Sequence, residues 1–203
     1  MCKRCLPALL FILAAIAGCH RPTDHELFRT AVDEVQAGDS AEIDARDHPR
    51  VVDADLAALA GATSLENLCL DGTSVGDEGA IYIAQSPRLK SLSLSSTRIS
   101  DLGVGKLAAL KDLESLRLDR AAISDACLET LAKLPKLRSV SLWRDHVTDA
   151  GLAHLAKMTW LRTLSLDETQ VSDAGLKHLV ALKELDYLSV WNTKVTEKGA
   201  ADL

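Results

Sequence analysis

Carboxylate and imidazole side chains recur along this sequence at a fixed spacing, an arrangement from which a metal site could be built. The recurring acids, one every 24 residues, are Asp101, Asp125, Asp149, Asp173 and Glu197. His154 and His178 repeat at the same interval. Two histidines without a third ligand are weak evidence for a metal. Each acid directly follows a Ser or Thr, which often begins a helix, so we interpret the acids as first-turn residues favoured by the helix dipole.

Residues for catalysis are not grouped in the sequence. No glycine-rich phosphate loop is present, and no nucleophile stands with a base and an orienting group. We therefore predict that the protein is not an enzyme and that it holds neither a cofactor nor a metal.

The elements that position these side chains follow from a repeat. One leucine column recurs every 24 residues, at Leu65, Leu89, Leu113, Leu137, Leu161 and Leu185. A period of this length predicts a solenoid, in which each unit buries its apolar face only against its neighbours. Every unit begins Leu-x-x-Leu-x-Leu, with valine replacing leucine twice, and the final alternation suits a short strand with one buried face.

A helix is predicted in the second half of each unit. Leu155 and Ala156 follow Leu152 by three and four residues, which places them on one helical stripe. The predicted N-caps are Ser100, Ser124, Thr148, Ser172 and Thr196. A glycine column that includes Gly151 and Gly175 indicates a close approach between elements, and Cys127 in that column indicates a locally wider contact.

The units "LRSVSLWRDHVTDAGLAHL" (137–155) and "LRTLSLDETQVSDAGLKHL" (161–179) resemble leucine-rich repeats. Their "VTDAGL" and "VSDAGL" endings are similar to ribonuclease-inhibitor-like and F-box-associated repeats, in a 24-residue form typical of bacteria, notably planctomycetes. The resemblance covers about residues 40–203. It implies an α/β solenoid with parallel strands on the concave face and helices on the convex face.

The turn after each strand departs from the family pattern. The family usually has Asn or Cys there to bind the turn backbone, and most units here have threonine, which makes a similar bond more weakly. Ala121 cannot make that bond, so we expect a looser turn in its repeat. An atypical first unit containing Ile43 and Leu56 precedes the six regular ones, as expected of a cap.

The start of the chain has the composition of a leader sequence. Lys3 and Arg4 precede an apolar stretch over 6–17, and "IAGC" (16–19) resembles the bacterial lipobox. The resemblance implies a signal peptide over 1–18 and attachment of lipid, such as palmitate, to Cys19. The protein would then be anchored in a bacterial cell envelope, on the periplasmic or outer-membrane face. An ordinary secretory signal with a chance cysteine is the alternative.

The remaining segments follow from these boundaries. We predict a lipidated tether over 19–22, a capping helix over 23–38 and repeats over 39–203, one degenerate and six regular, the last incomplete. Thr23 and Glu26 match a capping box at the start of that helix. We expect the helix to cover the N-terminal end of the solenoid core.

The charge balance argues against nucleic acid as a partner. The chain has 23 basic and 29 acidic residues and a net charge of −6, and loss of Lys3 and Arg4 with the leader would bring it to −8. Phosphate binding needs a basic face, which this composition does not favour.

A partner site is predicted on the outward-facing strand positions of the C-terminal repeats. Aromatic residues make up only 3% of the chain, yet two tryptophans fall in one outward column. The proposed partner-binding residues are Trp143, Arg144, Arg162, Asp167, Tyr187 and Trp191. Exposed tryptophan beside arginine is typical of an interface hot spot. The alternative is that each indole folds over a neighbouring side chain and shields the sheet.

The functional prediction is a non-enzymatic, lipid-anchored protein that binds another, unidentified protein on its concave face. One alternative is carbohydrate binding, with the indoles of Trp143 and Trp191 stacked on sugar rings. Another is a structural scaffold. No polar cap follows the last strand, Leu185–Val190, in the sequence given, so its edge is expected to be unpaired. End-to-end docking with another copy, or a truncated sequence, would follow from that.

Overall fold

The computed structural model describes residues 22–46 and 48–202. Strands and helices alternate along the chain, and the strands form one parallel sheet of seven in sequence order. Each strand pairs with the next in a fixed register, for example Leu116 with Val140 and Leu164 with Leu188. The predicted α/β architecture is confirmed. Residues 1–21, which contain the predicted leader and Cys19, lie outside the described residues.

Each strand is three residues long and, in the regular repeats, is centred on the second leucine of the motif or its valine replacement. The strands are β1 (Glu42–Asp44), β2 (Asn67–Cys69), β3 (Ser91–Ser93), β4 (Ser115–Arg117), β5 (Ser139–Ser141), β6 (Thr163–Ser165) and β7 (Tyr187–Ser189). In β2 to β6 the central residue is buried and the residues on either side face outward to differing degrees.

Helices cover the other face of the core. They are α1 (Asp24–Ala37), α2 (Gly79–Ile83), α3 (Asp101–Lys106), α4 (Asp125–Leu131), α5 (Asp149–Leu155), α6 (Asp173–Leu179) and α7 (Glu197–Ala201). Short 3-10 helices lie at Asp53–Leu59, in the first repeat, and at Leu107–Ala109. Within the described ranges, no helix has both the length and the apolar character needed to cross a membrane.

The predicted helix caps are confirmed by hydrogen bonds. Ser100, Ser124, Thr148 and Ser172 each accept, on the side-chain oxygen, the backbone N–H two residues later. Thr196 does the same with the N–H of Gly199. At α1 the Thr23 side chain accepts from Glu26 N–H while Glu26 accepts from Thr23 N–H, which is the predicted capping box.

Helix α1 closes the N-terminal end of the core. Phe28, Val32 and Val35 are buried on its inner side. The helix ends at Gly38, whose φ of 81° is the left-handed conformation that glycine adopts at a helix C-terminus. Two His–Asp contacts tie α1 to the first repeat: His25 Nδ1 lies 2.8 Å from Asp55 Oδ2, and His48 Nδ1 lies 3.9 Å from Asp24 Oδ1.

The leucine column forms one continuous core from the second repeat to the sixth. Leu65, Leu89, Leu113, Leu137 and Leu161 are fully buried. At the C-terminal end the corresponding Leu185 is only partly buried, as are Leu188, Val190 and Val195 of the same repeat. The core is therefore closed at one end of the described structure and open at the other.

The recurring acids bind the following repeat, which sequence reasoning did not predict. Asp149 accepts two hydrogen bonds from Ser172, at 2.7 Å from its N–H and 2.6 Å from its hydroxyl. The same pair of bonds joins Asp77 to Ser100, Asp101 to Ser124, Asp125 to Thr148 and Asp173 to Thr196. Each acid thus bridges to the N-cap of the next helix. Asp101, Asp125, Asp149 and Asp173 do so from the first turn of their own helices, and Asp77 from the turn just before its helix.

The glycine column exists because these carboxylates occupy the space beside it. A Cβ added at Gly151 would lie 2.3 Å from Oδ1 of Asp125, and one at Gly175 would lie 2.3 Å from Oδ1 of Asp149. No real Cβ tolerates such a distance, so the close approach inferred from the sequence is between glycine and the carboxylate of the preceding repeat. Cys127 occupies this column and is buried.

The turn at Ala121 has a substitute for the missing threonine. In other repeats the hydroxyl donates to the carbonyl three residues earlier, as Thr97 does to Leu94 at 2.7 Å. At Ala121 the backbone N–H donates instead to Oδ1 of Asp145, from the next repeat, at 2.9 Å. The expected looser turn is therefore held from the neighbouring repeat.

Candidate functional site

The concave face carries the outward side chains of the seven strands. In its N-terminal half these are serines and carboxylates, together with Asn67, Cys69 and Arg117. Asp71 and Asp119 do not point freely toward a partner, because each accepts a hydrogen bond from a serine hydroxyl and a backbone N–H of the next repeat. This part of the face is flat and largely satisfied by its own hydrogen bonds.

Asp167 belongs to the same structural set. Its Oδ1 accepts from the Ser189 hydroxyl at 2.6 Å and from the Trp191 N–H at 2.6 Å. The side chain proposed to meet a partner is thus already engaged in joining β6 to β7. Through the second of these bonds Asp167 holds the backbone of Trp191 in place.

Trp143 is held by a cluster of charged neighbours. The guanidinium carbon of Arg120 lies 4.2 Å from the indole centroid, and that of Arg144 lies 5.8 Å away. The indole Nε1–H donates to Oε1 of Glu168 at 3.1 Å, and the other carboxylate oxygen of Glu168 lies 3.0 Å from Nε of Arg144. For this tryptophan the alternative interpretation holds: the ring packs against neighbouring side chains.

Arg120 and Glu168 were missed by sequence reasoning. Both occupy a column directly after the outward tryptophan or aspartate, where the backbone is left-handed in every repeat from the second on. Its members are Gly72, Ser96, Arg120, Arg144, Glu168 and Asn192, with φ between 54° and 71°. Glycine and asparagine, which stand at the two ends of the column, favour the left-handed conformation. Their presence was the sequence signal by which this column could have been recognised.

Trp191 and Tyr187 are the exposed aromatic residues of the C-terminal repeat. Trp191 is 68% exposed and Tyr187 is 58% exposed. They lie on β7 or just after it, at the open end of the sheet. Trp191 stands two strands from Trp143, roughly 10 Å at the usual strand spacing. The two tryptophans share a column but not an environment.

Arg162 lies at the start of β6, away from Trp143. Its Nε is 3.6 Å from Oε2 of Glu184, which also lies 3.8 Å from Arg138. These pairs are exposed, so their contribution to stability is small. Of the six proposed residues, the structure brings Trp143 and Arg144 together in one cluster and joins Asp167 to the backbone of Trp191 in a second. Tyr187 lies on β7, and Arg162 pairs with Glu184. Trp160, by contrast, is partly buried against the core.

No metal site is visible in the part of the chain that the structure describes. Among those residues, no three His, Cys, Asp or Glu side chains come together as ligands. Burial raises the pKa of Cys69 to about 11, with the charges of Asp71 and Asp44 adding to the effect. Burial likewise raises the pKa of Cys127. Both thiols therefore stay protonated at neutral pH and are poor nucleophiles.

Comparison with known proteins agrees with this architecture. Residues 85–108 and 157–180 match the family model described as leucine-rich repeat. Among solved structures, the chain is similar to internalin C2 from Listeria monocytogenes, with a TM-score of 0.66 and 22% identity, covering 87% of this chain and 91% of that chain. The fold is a leucine-rich-repeat solenoid. No curated protein sequence matches the chain.

Leucine-rich-repeat solenoids generally serve as protein-binding scaffolds and typically lack enzymatic activity. The identity to internalin C2 is low enough that the likeness establishes the fold alone. The likeness therefore does not indicate what this chain binds.

Proposed function

We propose that this chain is a non-enzymatic, lipid-anchored leucine-rich-repeat protein of a bacterial cell envelope that binds another protein on the C-terminal half of its concave face. The observation that carries the proposal is Trp191, an indole that is 68% exposed on the same outward face of the sheet as the exposed Tyr187. Large exposed aromatic rings are enriched at the centres of protein interfaces.

Hydrogen bonds between β6 and β7 hold the backbone beneath this patch in place, which favours binding. The N–H of Trp191 is fixed by Asp167, and Ser189 by the same carboxylate. A backbone that is already held in place loses little conformational entropy when a partner covers it. Trp143, Arg144 and Glu168 form a second rigid cluster on the same face.

A protein partner is favoured over a glycan by the difference between the two indoles. A sugar-binding platform needs free ring faces, whereas Arg120 lies over the ring of Trp143. One exposed indole, on the same outward face as an exposed tyrosine, is more typical of a protein interface.

The first prediction concerns Trp191. Trp191→Ala is expected to abolish capture of the partner while leaving the midpoint of thermal unfolding nearly unchanged, since the ring is mostly exposed. Trp143→Ala is expected to lower both, because its ring and Nε1–H contact Arg120 and Glu168. A photo-crosslinking amino acid at position 191, expressed in the native cell, would report the partner by mass.

Leu102 provides the matched control. It is 77% exposed on a helix of the convex face, so the same crosslinker at position 102 should give no specific product. Equal products at 191 and 102 would contradict the concave-face proposal, and a glycan product at 191 would favour the carbohydrate alternative.

The second prediction concerns the anchor, which rests on the lipobox resemblance at residues 16–19. Cys19→Ser is expected to move the protein from the membrane fraction to the soluble fraction and to remove the lipid mass from the N-terminus. A single acyl chain binds membranes marginally, so stable anchoring requires more than one. Cys69→Ser is the control and should leave both readouts unchanged. An unlipidated N-terminus on the parent chain would instead support an ordinary secretory signal.

A further inference from the structure

Two arginines stand at the end of β4 on the concave side. Arg117 is the last residue of the strand, and Arg120 follows it in the turn. Both are exposed. The residues in register with Arg117 on the neighbouring strands are Ser93 and Ser141. Because serine side chains are much shorter, the guanidinium of Arg117 extends beyond its neighbours on both sides.

Arg120 is held against a fixed aromatic ring. Its backbone N–H donates to the carbonyl of Trp143 at 2.8 Å, and its guanidinium carbon lies 4.2 Å from the centroid of the same indole. The indole is in turn bound to Glu168 through its Nε1–H. Stacking on a ring uses the face of a guanidinium, so the N–H donors at its edge stay open to an acceptor.

The acceptors for these donors are not supplied by the part of the chain that the structure describes. There, no carboxylate oxygen lies within 4 Å of the Arg120 guanidinium. The Nε of Arg117 is 3.7 Å from Oδ2 of Asp119, which is too long for a hydrogen bond. Arg144 differs, because its Nε lies 3.0 Å from Oε2 of Glu168. The end of β4 therefore presents two cations whose hydrogen-bonding capacity is unused.

We propose that Arg117 and Arg120 receive an Asp or Glu side chain of the protein that binds the concave face. The inference rests on the proposed function and names the chemistry of the partner at this point of the face. A guanidinium has parallel N–H groups that match the two oxygens of a carboxylate. Because Arg120 is already stacked on Trp143, it loses little side-chain freedom when the acid binds.

The local charge favours a carboxylate over a phosphate. Asp119 lies beside Arg117, and Glu168 lies beside the indole of Trp143. Two negative neighbours repel a doubly charged phosphate more strongly than a singly charged carboxylate. Polyanions such as nucleic acid need a broader basic face than two arginines, and the chain has a net charge of −6.

The position of Trp191 sets a spacing within the partner. Trp191 follows β7, which is three strands from β4 in the sheet, or roughly 14 Å at the usual strand spacing. An extended chain covers this distance in about four residues. An extended segment that crosses the strands therefore has its acid about four residues from the side chain that covers Trp191.

The test uses a phage-displayed library of random dodecapeptides, selected in parallel on the full chain in detergent and on its variants. On the parent, the enriched peptides are expected to have Asp or Glu about four residues from an aromatic or large apolar residue. Arg120→Gln keeps a long side chain beside Trp143 but removes the charge, so the excess of acids should disappear. An acidic peptide selected on the parent should bind this variant about 10-fold more weakly. Arg117→Gln should act in the same direction.

Charge reversal gives a result that loss of the fold could not produce. Arg120→Glu should invert the preference, so that the enriched peptides have Lys or Arg in place of the acid. Glu168 shows that glutamate fits the left-handed backbone of this column. Arg98→Gln is the matched control, because it removes an exposed arginine from the preceding repeat. It should leave the excess of acids unchanged.

Two results would overturn the proposal and leave the proposed function standing. One is a set of peptides that is lost on Trp191→Ala but has no excess of acid on the parent. The other is an excess of acid that survives both Arg117→Gln and Arg120→Gln, since the acid would then bind elsewhere.

The opposite combination would separate the two proposals in the other direction. Acidic peptides that depend on Arg120 but bind Trp191→Ala as well as the parent would support this site and contradict a binding face centred on Trp191. A parent that enriches no peptide would contradict both.

Discussion

At the scale of single residues, Asp145 shows how a change in one repeat is balanced by its neighbour. It stands where four other repeats have threonine, and it supplies the hydrogen bond that Ala121 cannot make for itself. Its second oxygen, Oδ2, is buried and has no partner among the described residues. Burial raises the pKa of this carboxyl to about 8, which the hydrogen bond from Ala121 N–H only partly opposes.

The third prediction follows from that pKa. In the unfolded chain Asp145 ionises near its ordinary value, whereas the folded protein keeps the proton up to about pH 8. The folded state therefore binds more protons between these values, and stability falls as pH rises from about 4 to about 8. Asp145→Asn, a neutral isostere, is expected to raise the free energy of unfolding by roughly 2–4 kcal/mol at pH 8. At pH 4 it should have little effect.

Urea unfolding at the two pH values measures this difference. Asp112→Asn is the control, because Asp112 is surface-exposed and paired with Lys136, whose hydrogen bond lowers the pKa of the carboxyl. Its substitution should slightly destabilise the protein above pH 4. A stabilisation by Asp145→Asn that is equal at pH 4 and pH 8 would show that Asp145 is not held protonated by burial.

At the scale of elements, the bridging acids fix the position of each helix relative to the next. Each of these carboxylates meets the N-cap residue of the following repeat, so local capping and inter-repeat contact use the same side chains. The pKa of Asp173 is lowered, first by the N–H of Thr196 and then by its hydroxyl. For Asp77, burial raises the pKa, and the bonds from Ser100 and Gly103 outweigh it, so the net shift is downward.

The fourth prediction tests this bridge at Asp149. Asp149→Ala removes two charge-assisted hydrogen bonds to Ser172 and is expected to cost roughly 2–4 kcal/mol of stability. Glu197→Ala is a control from the same column, since the described structure shows no hydrogen bond from Glu197 to a following repeat. Only the favourable charge at the helix start is lost there, roughly 0.3–1 kcal/mol. Equal losses of stability in the two variants, measured by thermal unfolding, would show that the bridge to the following repeat does not stabilise the protein.

At the scale of the whole molecule, the solenoid is a row of units that contact only their neighbours. One end is covered by α1 and the other exposes the edge of β7. In such a row a local defect should spread only as far as neighbouring interfaces transmit it.

The fifth prediction uses the N-terminal cap. Phe28→Ala deletes a buried ring between α1 and the first repeat and is expected to cost about 3–5 kcal/mol locally. Amide exchange should rise in β1 and β2 while β5 and β6 keep their protection. Arg29→Ala, on the exposed side of the same helix, should change neither region. Loss of protection spread evenly over all strands would mean that the solenoid unfolds as one cooperative unit.

The sequence alone determined the repeat, the strand and helix of each unit, the N-caps and the buried leucines. These follow from the 24-residue period and from residues close together in the chain, whose preferences are local. The leader and the lipid site at Cys19 stay predictions, because they lie in residues the structure does not describe.

Only the tertiary structure decided how residues one repeat apart meet. Trp143 and Trp191 occupy the same column, yet Arg120 and Glu168 contact the ring of Trp143, whereas Trp191 is 68% exposed. Asp167 is engaged by the next strand rather than free for a partner. The reason is physical: the environment of a side chain in a stacked repeat is set by residues about 24 positions away. The identity of those residues varies at the positions that the repeat pattern does not fix.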